Sequence, residues 1–153
     1  MAIENQPIVK FDMQKSQIGY LLHQVDKYVF RRQNDALKSC GINFNCAIAL
    51  NYIVEHEDSA SINQRAIESF TGLTNPAITK IISALVELGL VERQPDAVDR
   101  RNYRLVSTKA GREKSVTCRQ LIVDTDKDCF SDLDHKQQVE LVELLTSINI
   151  ERT

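Results

Sequence analysis

Apolar residues recur every three to four positions over most of the 153-residue chain. A glycine-bearing break at Thr71-Gly72 separates two short helical segments, and two alternating segments flank Pro95. Together these three observations predict a mainly α-helical fold with one small β-hairpin. In chain order the segments read as two helices, a helix-turn-helix, a hairpin and two further helices. A hairpin that directly follows a helix-turn-helix is the wing of a winged helix-turn-helix.

Each element has its own signal. Residues 16–38 carry Ile18, Leu21, Leu22, Val25, Tyr28, Val29 and Leu37, mostly three or four apart, so they form an amphipathic helix that Gly41 ends. Asn43 is placed to cap a second helix, which runs through Ala47, Ile48, Leu50 and Ile53 to about Glu57. Ser61-Ile62 is a short extended piece. Asn63 caps a helix bearing Ala66, Ile67 and Phe70, and Thr74 caps the next, with Ile78, Ile81, Ile82, Leu85 and Leu88 as its apolar stripe. Pro76 is tolerated there because first-turn amides have no acceptor within the helix. Two strands follow, Leu90 to Gln94 and Asn102 to Val106, joined by the loop from Pro95 to Arg101. Thr108 caps a long helix with Val116, Leu121, Ile122 and Val123. A final helix begins at Asp134 and is apolar over more than one stripe, so it requires more than one neighbour.

Composition excludes several classes. The chain is long enough to bury a core as a single domain, and its 42% hydrophobic and 26% charged residues are ordinary for a globular protein. No apolar run is long enough to span a bilayer, and the N-terminus lacks the pattern of a signal peptide, so no membrane partner and a cytoplasmic location are expected. The four cysteines, Cys40, Cys46, Cys118 and Cys129, form no CxxC and read as small buried hydrophobes. The three histidines, His23, His56 and His135, are scattered, so no metal and no cofactor are expected. Without a nucleophile–base pair, nucleotide loop or metal set, a hydrolase or transferase is not expected. The net charge of −2 hides a division: residues 59–119 carry +4 and residues 120–153 carry −5. The basic middle suggests an anionic partner. Within it, residues 90–111 gather Arg93, Arg100, Arg101, Arg104 and Lys109.

The run SINQRAIESFTGLTNPAITKIISALVELGLVERQPDAVDRRNYRLVSTKAG, residues 61–111, resembles the multiple-antibiotic-resistance regulator (MarR) family of bacterial transcription factors. The likeness lies in LTNPAIT opening the recognition helix, LGLVER leading into the wing, and DRR followed by TKAG. It implies a homodimer whose N- and C-terminal helices, residues 1–40 and 112–153, dimerise around a DNA-binding region at 41–111. It also implies two winged helices on successive major grooves of a pseudopalindromic operator in double-stranded DNA. One departure is Ser107, where the family usually has leucine.

The chemistry of the residues agrees. With Ile78, Ile81, Ile82 and Leu85 facing the core, Thr74, Asn75, Pro76, Ala77, Thr79, Lys80 and Ser83 lie at the helix start or on its other faces. These side chains are small or hydrogen-bonding, as close approach to base edges requires. Asn75 suits adenine, Thr79 a base edge or a thymine methyl, and Lys80 guanine or phosphate; the competing reading is a solvated helix face. In the wing, Asp99 and Arg101 are two apart, so an extended chain sets both on one face, where the carboxylate can aim the guanidinium. An aimed Arg101 suits a narrow minor groove, while Arg100 and Arg93 suit phosphates. The competing reading is an exposed ion pair worth ~0–1 kcal/mol.

The resemblance further implies a small aromatic or anionic effector bound between the dimerisation and DNA-binding parts. Tyr20, His23, Tyr28, Arg31 and Tyr52 are the polar-aromatic candidates, each with the alternative of an ordinary core or interface role. A branch of the family senses hydroperoxides through a cysteine near the start of its first long helix, but no cysteine precedes Cys40. Cys46, in the first turn of the second helix, is the redox alternative, because the helix dipole can lower a thiol pKa there. A winged helix used as a protein-interaction module is a further alternative. It predicts a wing without arginines, unlike this one.

Overall fold

The computed structural model describes residues 13–57, 62–96 and 103–148. The first helix, α1 (Met13–Leu37), passes into a single 3-10 turn at Lys38–Cys40 and stops at Gly41. Helix α2 (Phe44–His56) is capped by Asn43, whose Oδ1 accepts from the Cys46 amide at 2.9 Å. Asn63 caps α3 (Gln64–Thr71) in the same way through the Ala66 amide at 3.0 Å. The turn out of α3 needs a left-handed residue, and Gly72 supplies it at φ 66°. Then come α4 (Asn75–Glu87), β1 (Val91–Pro95), β2 (Tyr103–Ser107), α5 (Lys109–Cys129) and α6 (His135–Ser147).

The core sits where α2, α3, α4 and the hairpin meet. Leu50, Ile53, Ile67, Ile78, Ile82, Leu85, Val91 and Leu105 are buried in one cluster, which Leu37 of α1 and Cys118 of α5 join. The predicted stripe of α4 is buried except for its last member, Leu88, which is 54% exposed because the helix ends beside it. Phe70 likewise lies outside the core, with its ring stacked on Tyr52 at 4.5 Å.

The two strands pair antiparallel, each one residue later than the sequence predicts, with Val91 opposite Ser107 and Pro95 opposite Tyr103. Leu90 still accepts from the Thr108 amide opposite it, but its own amide donates back to the Leu85 carbonyl at 2.9 Å, so the ladder starts at Val91. The extended piece before α3 is recovered at Ile62, whose carbonyl accepts from the Leu105 amide at 2.8 Å; Ser61 lies outside the described residues.

The start of α5 explains the TKAG segment physically. Thr108 Oγ1 accepts from the Gly111 amide and donates to the Gly89 carbonyl, tying the helix to the turn after α4. Gly111 lies so close to that turn that a Cβ there would sit 2.0 Å from the Leu90 carbonyl oxygen. Ser107 sits in a polar cluster rather than an apolar one. Its hydroxyl donates to Glu57, and Arg112 donates to its hydroxyl at 3.1 Å and its carbonyl at 3.0 Å. The serine therefore ties β2 to the end of α2 and to α5.

Farther along, α5 is bonded to α2 by Ser115 with Asn51 (2.7 Å) and Arg119 with Glu55 (2.8 Å), and to α1 by Gln33 with Asp126 (2.8 Å). Helix α6 opens on a reciprocal capping box between Asp134 and Gln137. It buries none of its residues, and Val142 and Leu144 are 63% and 59% exposed. On α5, Val116 and Val123 are also exposed, as are Ile18, Leu21, Leu22 and Val25 on α1. No helix among the described residues is long and apolar enough to cross a membrane.

Candidate DNA-binding face

The start of α4 projects a polar surface because its apolar stripe is committed to the core. Thr74, Asn75, Pro76, Thr79 and Lys80 are exposed, while Ala77 and Ser83 are half-buried. Thr74 occupies the N-cap position, but its side chain makes no capping bond, contrary to the expectation that it closes the helix start. Its carbonyl accepts from the Ile78 amide at 3.0 Å. The proline in this first turn already lacks an amide, so less capping is required there.

Helix α3 organises this surface. Asn75 Nδ2 donates to Glu68 Oε1 at 2.6 Å, and Gln64 Nε2 donates to Thr79 Oγ1 at 2.8 Å. Thr79 in turn donates to the Asn75 carbonyl at 2.9 Å, so its one hydroxyl hydrogen is spent within the helix. Lys80 has no hydrogen-bond or ion-pair partner among the described residues.

The wing joins the same face. Arg93 Nη2 donates to Ser83 Oγ at 3.3 Å, linking β1 to α4, and Arg104 donates across the ladder to Gln94 at 3.1 Å. Asp99, Arg100 and Arg101 lie outside the described residues. Between α3, α4 and the hairpin is an open polar cleft of about 510 Å³, bordered by Gln64, Arg65, Glu68, Asn75, Arg93 and Tyr103. Sequence reasoning missed Gln64, Arg65 and Glu68. The run Asn63-Gln64-Arg65 was a usable signal, since polar residues at the start of the first helix of a helix-turn-helix lie beside the second.

The effector candidates do not converge in this chain. Tyr20, His23, Tyr28 and Arg31 are exposed along α1, whereas Tyr52 is stacked between His56 at 4.3 Å and Phe70. None of the five borders the polar cleft or the largely apolar groove of about 390 Å³ between α5 and α6. The expectation for Cys46 is corrected. The thiol is buried, and desolvation pushes its pKa up, outweighing the opposing backbone hydrogen bond at the cap.

A model of the MarR family matches residues 41–102, from the turn before α2 to the wing. No curated protein matches the chain in sequence. Among solved structures, the reduced form of MarR from E. coli is 26% identical, with 84% of this chain and 93% of that one covered and a TM-score of 0.73. A MarR-family transcriptional regulator from Rhodococcus sp. RHA1 is 25% identical over 90% of this chain and 96% of its own, at a TM-score of 0.77. CouR from Rhodococcus jostii RHA1, solved with p-coumaroyl-CoA, is also 25% identical, over 91% and 96%, at 0.74. The family model covers the winged core and the structural likeness continues through the flanking helices, so this chain is similar to the MarR family of transcription regulators along most of its length.

Proposed function

We propose that the protein is a sequence-specific repressor that binds a pseudopalindromic operator in double-stranded DNA as a homodimer and is released by a small aromatic or anionic effector. The observation that carries this reading is the polar start of α4, held beside an arginine-bearing wing by the Arg93–Ser83 bond. A solvated helix face has no need of such a neighbour. In this reading Thr74, Asn75, Pro76, Ala77, Thr79, Lys80 and Ser83 enter the major groove. Arg93 and Arg100 meet phosphates, and Asp99 aims Arg101 into the minor groove.

The dimer is supported by the apolar side chains that α1, α5 and α6 leave exposed, a surface larger than scattered surface residues require. An effector is supported by CouR, solved with p-coumaroyl-CoA. In this chain Tyr20, His23, Tyr28 and Arg31 line α1 within the proposed dimer region and are offered as its contacts, with Tyr52 on the DNA-binding side.

Genome-wide capture of bound DNA, followed by titration on the recovered site, tests the proposal. One short palindromic motif is expected, with a log–log salt slope of about −0.9 for each phosphate neutralised. Capture without a shared motif, or affinity indifferent to salt, would overturn it. Screening phenolic and other aromatic acids on the same operator then tests release.

A further inference from the structure

A carboxylate on a surface that approaches DNA is a liability. It repels phosphate, and phosphate attraction supplies nearly all non-specific affinity. Glu68 is such a carboxylate. It borders the polar cleft of α3, α4 and the wing, with Arg65 and Arg93 on the same rim. No lysine or arginine pairs with it among the described residues. Its partners are two side-chain amides instead: Gln64 Nε2 at 3.3 Å and Asn75 Nδ2 at 2.6 Å. The first is an ordinary bond between residues one helical turn apart. The second crosses from α3 to the first residue of α4.

That crossing bond has a consequence for base reading. A side-chain amide carries two N–H donors and one carbonyl acceptor. Glu68 takes one donor of Asn75, and no described residue bonds its Oδ1. When Glu68 takes the N–H that points away from Oδ1, the other N–H and Oδ1 share one edge of the amide, matching N7 and the N6 amino group of adenine. A freely rotating asparagine presents this pair only part of the time, and presents the reverse arrangement as readily. The carboxylate removes that choice, since it accepts only from the nitrogen end.

We propose that Glu68 is a specificity-determining positioning residue, which holds Asn75 in the orientation that accepts adenine and gives up non-specific affinity in return. The inference rests on the reading of α4 as the recognition helix. It assigns the base selectivity of α4 partly to a residue on the preceding helix.

The test uses the full-length protein and an operator selected from random DNA. Affinities are measured for that operator, for its single-base variants and for unrelated duplex, with wild type, Glu68→Ala, Glu68→Gln, Asn75→Ala and the Glu68→Ala/Asn75→Ala double variant. Asn75→Ala is expected to relax discrimination about tenfold at one A·T pair in each half-site. Glu68→Ala should relax the same pair and no other, while binding unrelated duplex more tightly than wild type. The double variant should discriminate no worse than Asn75→Ala alone. Glu68→Gln can accept from the Asn75 nitrogen but can also donate to its oxygen, so it should relax discrimination at that pair less than Glu68→Ala does while sharing the gain on unrelated duplex.

A merely structural Glu68 would weaken binding to all DNA alike, which overturns the proposal. So does full discrimination in Glu68→Ala when Asn75→Ala has lost it, or an additive loss in the double variant. If Asn75→Ala itself discriminates as well as wild type, the base-reading role of Asn75 falls together with the inference. If no variant or wild-type protein selects a sequence at all, the repressor reading has failed first.

Discussion

Arg101 is the residue on which operator recognition by the wing is expected to turn. A guanidinium in a narrow A·T-rich minor groove meets concentrated negative potential, and Asp99 is the residue proposed to aim it. Arg101→Ala is expected to lose most specific binding in a mobility-shift titration while the oligomeric state in sedimentation stays unchanged. Unchanged operator affinity would remove the role. Cysteine chemistry is decided at the same scale by burial. The Cys118 thiol is pushed up to about 12 by burial and by its hydrogen-bonded neighbour Cys40. Its folded-state pKa lies above its ordinary value of 9.0, so this contribution to stability is whole below pH 9 and is lost as the pH climbs toward 12. Denaturant titrations at pH 8 and pH 10.5 should show a drop for wild type that Cys118→Ala makes smaller. An equal drop in both would show that the thiol does not contribute.

At the scale of elements, the joint between α4 and α5 is held by a close backbone approach at Gly111. Replacing glycine by alanine inside a helix normally gains ~1 kcal/mol in propensity. At Gly111 the added carbon would meet a backbone oxygen at 2.0 Å, and backbone cannot swing aside as a long side chain can. The steric cost should win. Gly111→Ala is expected to destabilise by roughly 3 kcal/mol in denaturant unfolding, the upper part of the usual range for overpacking. Asn63→Ala provides the comparison, because it removes only the α3 cap and should cost ~1 kcal/mol. If Gly111→Ala is the milder of the two, the close approach is not what makes glycine necessary there. Helix boundaries and caps at Asn43, Asn63 and Thr108 were legible in the sequence because a cap is a local bond, closed within three residues. The strand limits were not legible to the residue. Register depends on which carbonyl the Thr108 amide finds across the turn, and that partner, Leu90, is 18 residues away.

For the whole molecule, the exposed apolar residues of α1, α5 and α6 imply a partner surface of the same character, and a second copy is the proposed occupant. Since α6 buries nothing within its own chain, charged substitutions there should leave the fold intact. Val142→Glu with Leu145→Glu is expected to yield a folded monomer by sedimentation and circular dichroism. Its operator affinity should fall about a hundredfold or more, because the second half-site is no longer tethered to the first. Dimers that persist in this variant would place the interface elsewhere. The charge division fits the same arrangement: residues 59–119 at +4 include the elements proposed to face DNA, and residues 120–153 at −5 include α6.

By itself the sequence determined the order of elements, the caps at Asn43, Asn63 and Thr108 and the polar-fronted helix α4, because each is written in local chemistry: spacing, a glycine, a polar residue before an apolar run. It also identified the polar residues at the start of α4, which follow from subtracting the buried stripe of Ile78, Ile81, Ile82 and Leu85. Only the tertiary structure decided how those residues are held. The bonds from Glu68 to Asn75 and from Gln64 to Thr79 join separate helices, as does the cluster of Ser107, Glu57 and Arg112. The rise in the Cys46 pKa is likewise tertiary. A dipole belongs to one helix, but desolvation comes from everything packed around it, and here the packing prevails.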